Sequence, residues 1–151
     1  RRIVDEHGVA PERIKLEVTE SIVMADAACV APMLQELRDE GFRHAMDDFC
    51  TGQSSLHCLQ QFPVDTLKID RAFIMNVGLD RQYAAVVNAI ITLAHNLGMT
   101  VVAEGIEAAD QIAQLQALEC DQAQGYVFSR PADASNLREV IRQLSDRSQS
   151  S

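Results

Sequence analysis

Apolar side chains fall into two rhythms along this chain, and the alternation between them predicts its architecture. Five short runs have the character of strands: Ile14-Lys15-Leu16-Glu17-Val18-Thr19, His44-Ala45-Met46-Asp47-Asp48-Phe49, Thr66-Leu67-Lys68-Ile69-Asp70, Thr100-Val101-Val102-Ala103-Glu104 and Gln122-Ala123-Gln124-Gly125-Tyr126-Val127-Phe128. Between them, apolar positions recur at helical spacing. Val30, Met33, Leu34 and Leu37 follow the i, i+3, i+4, i+7 pattern, and Gly41 suits the stop that follows. A short helix is expected over 54–61, with Leu56 and Leu59 turned inward and Pro63 blocking its continuation. Val86, Ile90, Leu93 and Leu97 stripe the longest helix, capped by Asp80 and closed by Gly98. Ile112, Leu115 and Leu118 mark another, and Leu137, Val140, Ile141 and Leu144 the last, after a cap at Asp133 or Ser135.

Strand and helix therefore alternate, which argues for an α/β fold with parallel strands, because each helix supplies the long crossover that a parallel pair requires. The rhythm holds about five β/α units, whereas a complete eight-unit barrel needs about 200 residues or more and this chain has 151. One domain is expected over 1–144, with a linker-like, polar tail over 145–151. The opening Arg1-Arg2-Ile3-Val4-Asp5-Glu6-His7 reads as the end of a helix already under way, without initiator Met or leader, so the expectation is a piece of a larger domain.

Each strand-like run ends in a charged or amide side chain. In parallel strands of one sheet, Glu17, Asp47, Asp48, Lys68, Glu104 and Gln124 would converge at the carboxyl edge, where (β/α) barrels carry their active sites. Carboxylates meeting at one rim repel one another unless cations lie between them, so this pattern predicts bound divalent metal. Adjacent Asp47 and Asp48 suit a pair of ions about 3.5–4 Å apart. Taken alone, an Asp-Asp step after a strand equally suits a turn or a helix cap; its company with Glu17 and Glu104 favours ligation. Oxygen donors without His or Cys at comparable positions select Mg²⁺ or Mn²⁺ over Zn²⁺.

Lys68 and Asp70 should share one side of their strand. Lys68 would hold a phosphate oxygen or orient an attacking hydroxide, or else form a structural ion pair. Glu104 is the better ligand or base of its segment, while Glu107 reads as an outer contact to the site or a solvated helix start. Gln124 would hydrogen-bond a base or sugar edge, or tie neighbouring loops together. His7, His44, His57 and His95 match no ligand pattern, and Cys29, Cys50, Cys58 and Cys120 have no C-x-x-C spacing, which suits a reduced compartment.

Composition narrows the partners. A net charge of −9, from 13 Lys and Arg against 22 Asp and Glu, argues against binding DNA or RNA through the phosphate backbone. The longest apolar stretch, Ala84 to Leu97, is broken by Asn88, Thr92, His95 and Asn96, so no membrane contact is expected from this segment. No nucleophile elbow, Walker loop or dinucleotide fingerprint appears.

Leu16-Glu17-Val18-Thr19-Glu20-Ser21, Asp47-Asp48-Phe49-Cys50-Thr51-Gly52, Leu67-Lys68-Ile69-Asp70, Val102-Ala103-Glu104-Gly105-Ile106-Glu107 and Cys120-Asp121-Gln122-Ala123-Gln124-Gly125-Tyr126, followed by Arg130-Pro131, form five ordered blocks. Together they resemble the EAL family of cyclic-di-GMP phosphodiesterases. The resemblance implies a partial (β/α)₈ TIM-like barrel of the modified EAL type and a bacterial cytoplasmic setting, whether as a free protein or as the cytoplasmic part of a membrane-anchored one. It also implies two-metal hydrolysis of cyclic di-GMP to linear pGpG with Mg²⁺ or Mn²⁺. By motif position, Glu17, Asp47, Asp48 and Glu104 correspond to metal ligands, with Asp47 bridging. Lys68 corresponds to the residue that positions the attacking water, Glu104 also to a general base, and Glu20 to the anchor of the loop after Asp48.

The family's Glu-Ala-Leu segment and its Asn-bearing strand are not in this sequence, so weak or no activity is expected of the chain alone. Cys50 and Gln53 replace a usual Gly and Tyr, which keeps open a silent receptor or regulator that binds cyclic di-GMP or a partner protein uncut. A remoter rival is a lyase using Lys68 as a Schiff base. Homodimerisation or other self-association through open sheet edges is expected, as is an upstream sensory or nucleotide-cyclase domain in the parent protein.

Overall fold

The computed structural model describes residues 2–49, 59 and 61–148. Five strands, β1 (Lys15–Thr19), β2 (Arg43–Phe49), β3 (Thr66–Ile69), β4 (Thr100–Ala103) and β5 (Gln122–Ala123), lie in sequence order in one sheet. Every neighbouring pair is parallel. Among the described residues, the helices are α1 (Arg2–Glu6), α2 (Glu20–Ala25), α3 (Ala27–Asp39), α4 (Arg71–Ile74), α5 (Arg81–Asn96), α6 (Ala109–Ala117) and α7 (Leu137–Ser148). The parallel α/β alternation that periodicity predicted is present, in the partial (β/α)₈ TIM-like barrel that the family resemblance implied. Among the described residues, neither β1 nor β5 has a strand on its outer side.

The two faces of the sheet differ in chemistry. Met46, Leu67, Ile69, Val101 and Ala103 join the hydrophobic core with Leu34, Val87, Ile91 and Leu115 from the helices. Residues of the alternate register, Glu17, Asp47 and Lys68, occupy the other face by the two-residue period of a strand. Apolar burial thus fixes each strand's register, and a one-residue slip would drive the charged set into the core.

Several element ends follow their predicted signals. Asp80 Oδ1 accepts from Gln82 N at 2.8 Å at the start of α5, and Gly41 (φ 96°) and Gly98 (φ 74°) take the left-handed backbone that closes helices. The buried stripes are rotated from those expected. In α5 the buried residues are Val87, Ile90, Ile91 and Ala94 while Val86 is exposed, and in α3 Val30 and Leu34 are buried while Met33 is exposed. A helix packed on a sheet buries a face wider than a single i, i+3, i+4 line, so small Ala94 is drawn in and the margin falls outside.

The expected strand 122–128 is shorter, because pairing with β4 ends at Ala123. Beyond it the chain turns over the segment after β4: Gln124 N donates to Ala103 O, Ile106 N to Gln124 O and Val127 N to Ile106 O. The tail over 145–151, expected to be linker-like, is helical as far as Ser148. Once a helix is nucleated, each added residue gains a backbone bond at little cost, and Ser145 Oγ also donates to Ile141 O. Asp133 precedes a 3₁₀ turn, Ala134–Asn136, and makes no side-chain cap bond there. The helix expected over 54–61 lies almost entirely outside the described residues, although Leu59 is buried in the core.

Candidate active site

The carboxyl ends of β1, β2, β3 and β4 bring four charged side chains to one point. Lys68 Nζ lies 2.8 Å from Glu17 Oε2, 3.2 Å from Asp47 Oδ1 and 2.8 Å from Glu104 Oε1. Lys68 is the penultimate residue of β3, which is flanked by β2 and β4, and its side chain is only 6% exposed. Glu17 is half exposed, whereas Asp47 and Glu104 are mostly covered. The ammonium is thus a buried hub whose charge three carboxylates share.

That geometry controls protonation. Burial pulls Lys68 down, but hydrogen bonds to Glu104, Glu17 and Asp47, with the charge on Glu104, outweigh it and hold the amine above the ordinary lysine range. An amine held in its ammonium form by three carboxylates is a poor Schiff-base nucleophile, which weighs against the lyase reading. Burial pushes Glu104 up, and the charges on Asp47 and Glu17 add to this, while Lys68 pulls partly in the other direction.

Asp47 and Asp48 stand at an irregularity in the sheet. Met46 pairs with Leu67 and Phe49 with Ile69, so two aspartates face the single residue Lys68 across the β2–β3 ladder. Asp48 takes φ 54°, a left-handed conformation that is uncommon outside glycine and that aspartate tolerates better than most residues. Its N–H donates to Asp47 Oδ1 at 3.0 Å. A bulge beside a reactive centre re-aims side chains, and here Asp47 reaches Lys68 while Asp48 carries the irregular backbone of the bulge.

The remaining expected residues separate by role. Asp70 does not reach the Lys68 cluster; its Oδ1 accepts from Ala72 N at 2.8 Å and caps α4, because the chain leaves the strand after Ile69 and alternation no longer holds. Glu107 pairs with Arg71 at 2.8 Å. Gln124 is exposed and lines a groove of about 810 Å³ with Tyr126, Arg130 and α7 residues, and its backbone ties the loops after β4 and β5. Glu20 opens α2 and is 5% exposed. The loop it was expected to anchor, with Cys50 and Gln53, lies outside the described residues.

Three contributors escaped the pattern reading. Arg71 stacks its aliphatic stem against Gly105, where an added Cβ would meet Arg71 Cγ at 2.5 Å. Gln111 Oε1 accepts from Glu107 N and Ala108 N, and its Nε2 donates to Ile74 O, so one amide joins the loop after β4 to α4. Asp121 accepts from Val101 N at 2.7 Å and from His95 Nε2 at 2.8 Å. Gln111 stands three residues after the cap residue Ala108, but alanine has no side-chain oxygen, so the Ser/Thr-x-x-Glu/Gln signature that would have flagged this glutamine is absent.

The acidic set has the chemistry of a hard-cation site, oxygen donors without His or Cys. Among the described residues, however, no three acidic, His or Cys side chains surround a point at ligand spacing. The point shared by Glu17, Asp47 and Glu104 holds the ammonium of Lys68. Sequence reasoning asked for divalent metal between the carboxylates; in this structure the Lys68 ammonium lies between three of them. Among the described residues, no helix is long and apolar enough to cross a membrane.

Comparison with known proteins extends this picture. The family model described as EAL domain matches residues 1–131. Cyclic di-GMP phosphodiesterase NbdA of Pseudomonas aeruginosa is 40% identical over 142 residues, which are 94% of this chain and 18% of that protein. The solved complex of PaMucR phosphodiesterase with c-di-GMP superposes at a TM-score of 0.85 with 40% identity, over 91% of this chain and 56% of that one. Klebsiella pneumoniae BlrP1, in a manganese and cy-diGMP complex, superposes at 0.81 with 32% identity, over 85% of this chain and 33% of that one. The chain thus spans less than a fifth of that curated relative's length.

Proposed function

The chain belongs to the EAL domain family, a family that includes cyclic di-GMP phosphodiesterases, and from that premise we propose that it carries catalytic side chains for hydrolysing one phosphodiester bond of cyclic di-GMP to give linear pGpG. The observation that carries this reading is the convergence of Glu17, Asp47 and Glu104 on Lys68 at the carboxyl end of a parallel sheet. Glu17, Asp47, Asp48 and Glu104 would hold Mg²⁺ or Mn²⁺, a choice favoured by their hard oxygen donors and by the manganese in the BlrP1 complex. Bound divalent ions supply a lowered pKa for water and charge neutralisation at a phosphate.

The chain's own residues do the rest. Lys68, held protonated by its partners, offers a fixed positive charge and N–H donors to an anionic oxygen or an attacking water. Glu104, pushed up by burial, sits closer to neutrality than a surface glutamate and suits the acceptance of a proton. Asp48 is set by its left-handed backbone beside Asp47 and contributes a further carboxylate. Arg71 and Gln111 brace the loop that follows Glu104.

The test is direct. This chain, alone and within any longer parent protein that contains it, is incubated with cyclic di-GMP, with and without Mn²⁺, and pGpG is followed by chromatography. Metal-dependent product from the parent supports the reading; tight binding by calorimetry with no product would make the protein a receptor instead. We also propose self-association through the open edges of β1 and β5, checked by measuring size over a range of concentrations, where a monomer throughout would oppose it.

A further inference from the structure

Lys68 occupies the position that a cation between the carboxylates would claim. Its ammonium is held by Glu17 through Oε2, by Asp47 through Oδ1 and by Glu104 through Oε1, and its side chain is only 6% exposed in the interior strand β3. A buried ammonium deprived of all its partners is costly, so the lysine cannot simply release three carboxylates to an incoming ion. A divalent cation binding the same oxygens would also lie within a few ångströms of that positive charge, in a setting where water screens it poorly.

We propose that Lys68 competes with divalent metal for Glu17, Asp47 and Glu104, and so keeps the metal-free site assembled while holding its metal affinity down. This inference rests on the reading of those three carboxylates as metal ligands. Without metal, the lysine relieves repulsion among the acids and preserves their geometry. With metal, occupancy follows the ambient cation concentration instead of being permanent, because each ion must share its ligands with a resident charge. Lys68 is in this sense a positioning residue for the acids, separate from any contact it makes to substrate.

The experiment is Mn²⁺ titration by calorimetry of this chain and of its Lys68→Met variant, with thermal unfolding measured in metal-free buffer and in Mn²⁺. The proposal expects Lys68→Met to bind Mn²⁺ at least about tenfold more tightly. It also expects the variant to melt lower than the parent without metal and to gain more from Mn²⁺ than the parent does. Lys68→Arg, which retains the charge, should bind Mn²⁺ no more tightly than the parent. Lys68→Gln provides the same neutralisation with a polar side chain should the Met variant not fold. Equal or weaker Mn²⁺ binding by the neutral variants, or no Mn²⁺ binding by any of the chains, overturns the proposal. Loss of cyclic di-GMP hydrolysis in the parent protein would sink the functional reading while leaving a tightened Mn²⁺ affinity intact, so the two failures are distinguishable.

Discussion

Lys68 and Glu104 meet at 2.8 Å, whereas Glu107, three residues further on, turns to Arg71 at the same distance. The two glutamates of one short segment therefore have different work. Glu104→Gln removes a buried partner of the ammonium and a candidate ligand, and hydrolysis in the parent protein should fall by more than the roughly 10–100-fold typical of outer-shell changes. Glu107→Gln breaks a half-exposed pair worth about 0–1 kcal/mol and should leave most of the activity. Steady-state rates for the two variants check this, and equal losses would contradict the division of roles.

Asp48 offers a cleaner separation of fold from chemistry. Its φ of 54° penalises most residues, but Asn accepts this region as readily as Asp. Asp48 is half-buried, and Asn keeps its size and backbone preference, so Asp48→Asn should change the unfolding free energy by no more than about 1 kcal/mol. Hydrolysis should nonetheless collapse, because an amide is a far poorer ligand for a hard cation than a carboxylate. Urea unfolding and a pGpG assay on the same preparation provide the comparison.

The pattern of strand-end charges was legible because a parallel sheet sends every carboxyl end to one rim, so Glu17, Asp47, Lys68 and Glu104 needed only the alternation of β and α to be brought together. What linked them was less visible. Periodicity shows which side of a strand a residue takes, but not that Lys68 would reach three acids at once, since that depends on strand stagger and side-chain length. Asp70 was misplaced because the strand ended one residue earlier and its side chain capped α4. The rotated stripe of α5 has a similar origin: the sheet decides which helical face is buried, and Val86 lies just past its edge. Asp121 carried no local signal at all, because its partners, Val101 and His95, lie about 20 residues or more away in the chain.

Asp121 should make stability depend on pH. Partial burial pushes its carboxyl up, but hydrogen bonds from His95 and from Val101 N–H outweigh this and hold it below its ordinary value of 3.8. A carboxyl lowered on folding stabilises the native state above the unfolded value, and the contribution is lost as pH falls through the folded one. Asp121→Asn should cost about 1 kcal/mol at neutral pH, the net worth of a partly exposed charged hydrogen bond. The gap between parent and variant in urea midpoint should narrow as pH drops below 3.8. A gap that widens in acid would show that the carboxylate is not the stabilising form.

Gly125 governs the support beneath Glu104. A Cβ at this position would collide with Ile106 O and Ile106 N, both backbone atoms that cannot rotate aside. The close approach exists because the loop after β5 is laced to the loop after β4 by bonds from Ile106 N to Gln124 O and from Val127 N to Ile106 O. Gly125→Ala must pry those segments apart, which should destabilise the fold by about 1–3 kcal/mol through overpacking and displace the chain immediately after Glu104. Stability and activity should therefore fall together, unlike in Asp48→Asn, where only activity falls. Urea unfolding gives the first quantity and hydrolysis by the folded fraction the second. A variant with the parent's stability would mean that the lacing is not the constraint described.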